Sequence, residues 1–352
     1  MVIGLTQIEG IILYCLRNIK NERTIYSIFH LLKGKKSSQT IQDAHLFSMK
    51  QFFGILEPIT RENFEKIISD MLDKNLIMDC GGQRFITQPL GESALQGYKI
   101  PNYLNGWDFH QITQLVWDRL SLMVQVASNL EYDETNYIPI QKSPPVHVWI
   151  KSVLKESSIS RKEFSRQLYN ELMACFNGAE EMTPLVVVFR LTGFQKIGLT
   201  AEQAAKKLKL DNVDYHLEFN HTLHYMIQRI KTNEEQFPLL AFLLQGLTKN
   251  EELTISSRKT WNLLEKGFAP EMIARLRNLK QSTIEDHLVE FALHINHFRI
   301  DDYVDQELQN EILEISRLQE TRQLKVIKDN VKRATYFQIR LVLAKFGEQT
   351  WN

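Results

Sequence analysis

Apolar residues at positions 8, 11, 12, 15, 16 and 19 recur at the three-and-four spacing of a helix face, and Thr6 with Glu9 reads as a capping box that opens this helix. A second helix is expected over residues 22–32, with Ile25, Ile28, Phe29 and Leu32 inward and Gly34 as its stop. Residues 35–42 are polar and read as a connection, and residues 45–53 look helical. Thr60 then caps a longer helix with Phe64, Ile67, Ile68, Met71 and Leu72 on its inner face. The period changes next: Leu76, Ile77 and Met78, a Gly81-Gly82 pair, then Arg84, Phe85 and Ile86 predict two short strands around a glycine turn. Three helices followed by a hairpin is the order of a winged helix.

The segment 98–106, with Pro101 and two asparagines, marks a boundary before a new helix carrying Trp107, Ile112, Leu115, Val116, Leu120, Met123 and Val126. Residues 131–145 form a polar connection in which Pro144 and Pro145 are expected to hold the chain extended, with a helix starting at Val146. Further helical patterns follow at 161–176, 184–192, 200–208 and 221–230. In the run 185–189 the β-branched composition favours a strand, whereas Thr183 followed by Pro184 favours a helix start, and the helix is preferred. From residue 253 onward helices are expected at 253–266, 270–277 and 283–295, with two or three more to residue 346. The fold class is therefore mainly α and multi-domain: a winged-helix-like segment (1–100), a helical middle (104–250) and a C-terminal helix-turn-helix domain (251–352).

Of these patterns the last is the most specific. Gly267 ends one helix, Pro270 opens the next, and residues 278–281 turn into a third helix whose cap reads as Ser282 with Glu285 three residues on. Ile273, Leu276, Leu279, Ile284 and Leu288 would lock the two helices together.

Composition narrows the chemistry. With 43% hydrophobic and 24% charged residues over 352 positions the chain has the balance of a folded protein long enough for two or three domains. Lys plus Arg equals Asp plus Glu at 42 each, so any contact with nucleic acid must be local. Cys15, Cys80 and Cys175 are too scattered for a disulfide framework or a cysteine zinc site, and no window is apolar enough for a membrane span, which together point to the cytoplasm.

Enzyme signals fail one by one. Gly34-Lys35-Lys36-Ser37 ends like a phosphate-binding loop but lacks the first glycine and follows a helix. His294 and His297 with Asp301 and Asp302 read as ordinary structural residues, because no other ligand cluster joins them. No nucleophile elbow, zinc-protease helix or paired-carboxylate motif stands out, so neither a catalytic role nor a cofactor is expected.

The stretch TWNLLEKGFAPEMIARLRNLKQSTIEDHLVEFA, residues 260–292, resembles the helix-turn-helix domain found at the C-termini of some RecQ-family helicases, through Gly267, Ile273, Ala274, Leu279, Ser282, Thr283, Ile284, His287 and Leu288. The segments HLLKGKKSSQT, FFGIL and MLDKNLI likewise resemble the winged helix that follows the RecQ core. Two such modules in one chain without a motor resemble the YpbB family of bacterial helix-turn-helix proteins, encoded beside a RecQ-type helicase. The resemblance covers about residues 22–95 and 253–345. It implies a RecQ-type helicase as partner and DNA, contacted mainly through phosphates, as ligand, in replication, recombination or repair.

On the expected recognition helix, Glu285, Asp286 and Glu290 would face phosphates, leaving His287 to probe a base edge. Basic residues concentrate in the tail, at Arg322, Lys325, Lys328, Lys332, Arg333, Arg340 and Lys345, with a weaker group at Lys33, Lys35, Lys36, Lys50 and Arg61. The candidate nucleic-acid contacts are Lys35, Lys36, Lys280, Ser282, Thr283, His287, Arg322, Lys325, Lys328, Lys332 and Arg333. The alternative is a protein-interaction scaffold, or a regulator-like protein, whose recognition helix never touches DNA.

Overall fold

The computed structural model describes residues 4–157, 159–178, 182–247 and 253–347. The first part holds α1 (Gln7–Ile19), α2 (Ile25–Leu32), α3 (Ser38–Leu46), α4 (Arg61–Asp73), strands β1 (Ile77–Asp79) and β2 (Phe85–Thr87), and α5 (Pro89–Gln96). The middle holds α6 (Gly106–Phe109), α7 (Thr113–Glu131), α8 (Pro144–Glu156), α9 (Arg161–Phe176), α10 (Leu185–Val188), α11 (Ala201–Leu208), α12 (Asn212–Thr232) and α13 (Pro238–Ala241). The last part holds α14 (Ile255–Leu264), α15 (Pro270–Leu276), α16 (Gln281–His294), α17 (Gln306–Leu318), α18 (Leu324–Asn330) and α19 (Tyr336–Phe346). Among the described residues no helix is long and apolar enough to cross a membrane.

These elements form two compact units. One joins residues 9–98 to residues 253–347, and the other consists of residues 99–247 with residues 6–8. The N-terminal and C-terminal segments, read separately in the sequence, thus fall in one compact unit.

The reason lies in α3. Its start is set by Ser37, whose side chain accepts the Thr40 N–H. Its buried face is largely polar: Thr40, Gln42, Asp43 and His45 are all inside. Asp43 accepts from Arg23 Nε at 3.0 Å and from Gln39 Nε2, and Gln42 donates to the Arg340 carbonyl at 3.1 Å. Buried polar groups cost free energy unless they are paired, and here part of the pairing comes from outside the segment, from Arg23 and from Arg340 far along the chain. A search for apolar periodicity therefore misplaces this helix at 45–53, where the structure has the end of α3 and a short 3-10 turn at Lys50–Phe52.

Other local expectations follow their stated physics. Thr60 caps α4 by accepting the Asn63 N–H. β1 and β2 pair antiparallel, Ile77 opposite Thr87 and Asp79 opposite Phe85, around a turn in which Gly81 and Gly82 both take positive φ. The Gln83 carbonyl in that turn accepts the Ile25 N–H at 2.8 Å, which ties the hairpin to the first turn of α2. Gly34 ends α2 at φ +68, and a Cβ there would lie 2.9 Å from Gly54 Cα, so the position demands glycine twice over. Pro144 and Pro145 open α8 rather than precede it, because the first turn of a helix has no use for their missing N–H groups. Residues 185–188 are helical, as the Thr183-Pro184 start favoured.

The second unit packs α7, α9 and α12 around a core that includes Leu120, Met123, Phe164, Leu223, Met226, Ile227 and Phe237. Two of its buried carboxylates serve as caps. Glu171 accepts the Leu239 and Leu240 N–H groups at 2.9–3.1 Å at the head of α13, and Asp214 accepts those of Gln7 and Ile8. His224 Nδ1 accepts the Asn105 N–H while its Nε2 pairs with Thr113, and burial pushes this imidazole down to about 3.

Candidate nucleic-acid interface

In the first unit, α14, α15 and α16 carry the helix-turn-helix. The turn between α15 and α16 is a Schellman motif: Asn278 takes φ +50, its N–H bonds the Arg275 carbonyl, and the Leu279 N–H bonds the Ala274 carbonyl. The chain is then extended at Lys280, which is the N-cap of α16, and the Thr283 and Ile284 N–H groups point to the Lys280 carbonyl. Ser282 is therefore inside the first turn of α16 and is not its cap. The turn is so tight that the helix begins two residues earlier than a serine cap requires. Of the expected locking residues, Ile273, Ile284 and Leu288 are buried, Leu279 is half-buried, and Leu276 is 59% exposed.

Most of α16 is enclosed. It packs on α14, α15, α19 and α3, with Ile284, Leu288, Val289, Phe291 and Ala292 buried. Trp261 on α14 meets the Phe291 ring edge-on at 5.0 Å, and Phe298 stands against both. Its exposed residues lie at the N-terminal end, Lys280, Gln281 and Ser282, while Thr283, Glu285, Asp286, Leu293 and His294 are half-buried.

Three polar residues of α16, Asp286, His287 and Glu290, are structural. His287 is 6% exposed, and its Nδ1 lies 2.8 Å from Thr260 Oγ1. That hydroxyl oxygen already accepts from Arg277 Nη1, so its proton is directed at the imidazole. Burial, with the Arg277 charge beside it, pushes His287 down to about 4. The residue expected to probe a base edge is thus a neutral core group.

Glu290, also 6% exposed, accepts the Thr254 N–H at 2.5 Å and the Ser257 hydroxyl at 2.7 Å, and so closes the head of α14. Burial raises its carboxyl pKa, against the pull of those hydrogen bonds and of nearby Lys36. Asp286 is paired with Arg340 at 2.7 Å. Two of the three carboxylates expected to face phosphates are therefore engaged within the protein.

Most of the basic tail is engaged in the same way. Arg322 is half-buried with its guanidinium 5.1 Å from the centre of the Phe47 ring, and burial lowers its pKa. Arg333 pairs with Glu311 at 2.7 Å and Glu307 at 3.3 Å. Arg340 also donates to Ser38 Oγ at 2.6 Å, and Lys345 donates to the Ile295 and Asn296 carbonyls at the end of α16. Lys328 is half-buried and donates to the Lys332 carbonyl. Lys35, Lys36, Lys280, Lys325 and Lys332 are exposed and form no ion pair among the described residues.

In the weaker N-terminal group, Lys33 donates to the Glu57 and Ile59 carbonyls, and Arg61 pairs with Glu65. His294 packs against His45, and His297 against Trp261. Among the described residues no group of three or more His, Cys, Asp or Glu side chains could hold a metal ion.

Sequence reading missed Arg277, which pins the turn to α14 through Ser256 and Thr260. The signal was weak, since an arginine at a helix end is ordinary.

Comparison with known proteins agrees with this geometry. A helix-turn-helix domain family matches residues 256–343, which takes in α14 through most of α19. No solved structure matches. The protein YpbB of Bacillus subtilis (strain 168) is 34% identical, in an alignment that covers 98% of this chain and 99% of that one. At that identity over nearly the full length of both proteins, this chain belongs to the YpbB family.

Proposed function

We propose that this chain is a non-catalytic, cytoplasmic accessory protein that binds DNA through its phosphates and acts beside a RecQ-type helicase in replication, recombination or repair. The helix-turn-helix domain supports DNA as the ligand. The observation that carries phosphate contact over base reading is the enclosure of α16, in which full exposure is confined to Lys280, Gln281 and Ser282 at its N-terminal end. A helix N-terminus flanked by Lys280, with Ser282 and Thr283 in its first turn, suits a phosphate. Lys35, Lys36, Lys325 and Lys332 are the further candidate contacts. The order α2, α3, α4 and β1–β2 supports a winged-helix reading of the N-terminal segment, with the hairpin tied down rather than inserted between strands. The helicase partner rests on the resemblance of both modules to RecQ parts.

The same enclosure favours a second reading, a protein scaffold without DNA contact. Fluorescence anisotropy on forked and linear duplexes separates the two. With phosphate contacts, affinity falls steeply between roughly 50 and 200 mM salt, and the pair Lys36→Ala and Lys280→Ala lowers the salt slope by about two. Affinity no greater than that of an unrelated neutral protein, and indifferent to salt, would overturn DNA binding. Helicase that co-purifies after nuclease treatment would then support the scaffold.

A further inference from the structure

Within the second unit, α11 and α12 repeat the turn that joins α15 to α16. Lys209 takes φ +59 where Asn278 takes φ +50, and the N–H of each bonds the carbonyl three residues back, Lys206 or Arg275, at 3.2 Å. The next N–H, of Leu210 or Leu279, reaches the Ala205 carbonyl at 3.0 Å or the Ala274 carbonyl at 2.9 Å. The residue after that, Asp211 or Lys280, is the extended N-cap of the second helix. Burial follows the same pattern. Ala205 and Ala274 are buried, and so are Tyr215 and Ile284 four residues past the caps, Glu218 and His287 seven past them, and Phe219 and Leu288 eight past them. One turn built twice, with the same positions turned inward, is a second helix-turn-helix.

We infer that this second helix-turn-helix is a further DNA-contacting surface, which holds duplex phosphates with the exposed lysines of α11 and its turn. The inference rests on the reading of DNA as the chain's ligand.

In a docked helix-turn-helix the first helix crosses the phosphate backbone, and the affinity comes from Lys and Arg set against phosphates. Here the first helix is α11. Ala204 and Ala205 face the core, while Glu202, Gln203, Lys206 and Lys207 are exposed, with Lys209 exposed in the turn. The three lysines form no ion pair among the described residues, and Lys207 Nζ lies 4.1 Å from the centre of the Phe189 ring.

The carboxylates that follow are consumed inside the fold. Asp211 accepts the Val213 N–H at 2.7 Å and the Asp214 N–H at 2.9 Å, Asp214 accepts the Gln7 and Ile8 N–H groups, and Glu218 accepts the Thr183 N–H at 3.1 Å. Asp211 thereby closes the head of α12 to any anion, which leaves phosphates to the lysines. α15, in the corresponding place, exposes Met272 and Leu276 together with Glu271 and Arg275, a face without surplus charge. Of the two first helices, α11 is the one whose charge suits a phosphate backbone.

Fluorescence anisotropy of the full chain on a labelled duplex, with salt varied, tests this. Lys206→Gln with Lys209→Asn removes two charges and puts at the left-handed position the residue type that holds it at Asn278; a thermal melt checks folding. The pair should weaken duplex binding at low salt by at least about tenfold and lower the salt slope by about two. Lys151→Gln with Lys155→Gln, which removes the same charge from exposed positions of α8, should leave the slope unchanged. Joined to Lys36→Ala and Lys280→Ala, the α11 pair should bring the loss of slope to about four. A slope lowered by the α11 pair but not by the Lys36 and Lys280 pair would keep this surface and remove the one beside α16. A slope that the α11 pair leaves intact while the Lys36 and Lys280 pair lowers it overturns the second surface alone. Equal losses from the α8 pair would show a long-range charge effect and overturn it too. Wild type without salt-dependent duplex binding overturns this surface and the DNA reading together.

Discussion

If His287 is a core residue, protonating it must cost folding free energy, and the cost can be worked from its surroundings. Its imidazole is held near 4 by burial and by Arg277, against about 6.5 in an unfolded chain. A depressed pKa means that the unfolded state takes up the proton first as pH falls. The stability is therefore fully present above pH 6.5 and drains away as the pH drops towards 4. At 1.36 kcal/mol per unit, the loss between pH 7 and pH 4.5 is about 2 to 2.5 kcal/mol. His287→Asn keeps a hydrogen-bond acceptor near Thr260 but cannot titrate. Urea unfolding of wild type and variant at both pH values isolates this term, because His216 and His224, held near 4 and 3, contribute equally to both proteins. The variant starts less stable at pH 7, and the gap should narrow by about 2 kcal/mol at pH 4.5. Parallel losses in the two proteins would show that His287 titrates like a surface histidine, and would refute the inward placement of the helix face.

Three further outcomes follow from the same contacts. Arg340→Ala removes bonds to Asp286, Ser38 and Gln42 at once, and should destabilise the first unit by about 1–3 kcal/mol in a urea titration. Glu290→Ala leaves the Thr254 N–H and the Ser257 hydroxyl without their acceptor and should cost about 1–3 kcal/mol, with Glu290→Gln milder. The pH dependence of Glu290 runs opposite to that of His287. Its raised carboxyl pKa means that the folded state holds a proton which the unfolded state releases, so Glu290→Gln should remove a small gain in stability as pH falls through the range just above 4.5.

The elements that local physics specifies were legible in the sequence. Thr60 capping α4, Gly34 stopping α2 and the Gly81-Gly82 hairpin each rest on a few adjacent residues. α3 was not legible, because Gln42, Asp43 and His45 are buried by partners at residues 340, 23 and 294. The start of α16 was misplaced because Asn278 takes the left-handed turn position that a glycine would have advertised. The charges of Arg333 and Arg340 were visible, but Glu311 and Asp286, which consume them, lie 22 and 54 residues away. His287 sat on the expected helix. Which face of that helix is inside depends on packing against α3, a segment from the other end of the chain.

The enclosure of α16 is tested most directly by amide hydrogen exchange on the full chain, with and without duplex DNA. The body of the helix, residues 286–293, should be protected in both states at the level of the core, while residues 281–283 exchange quickly when free and slow when DNA is added. An α16 body that exchanges quickly in the free protein and becomes protected only on DNA would contradict a buried helix and restore it as the reading surface.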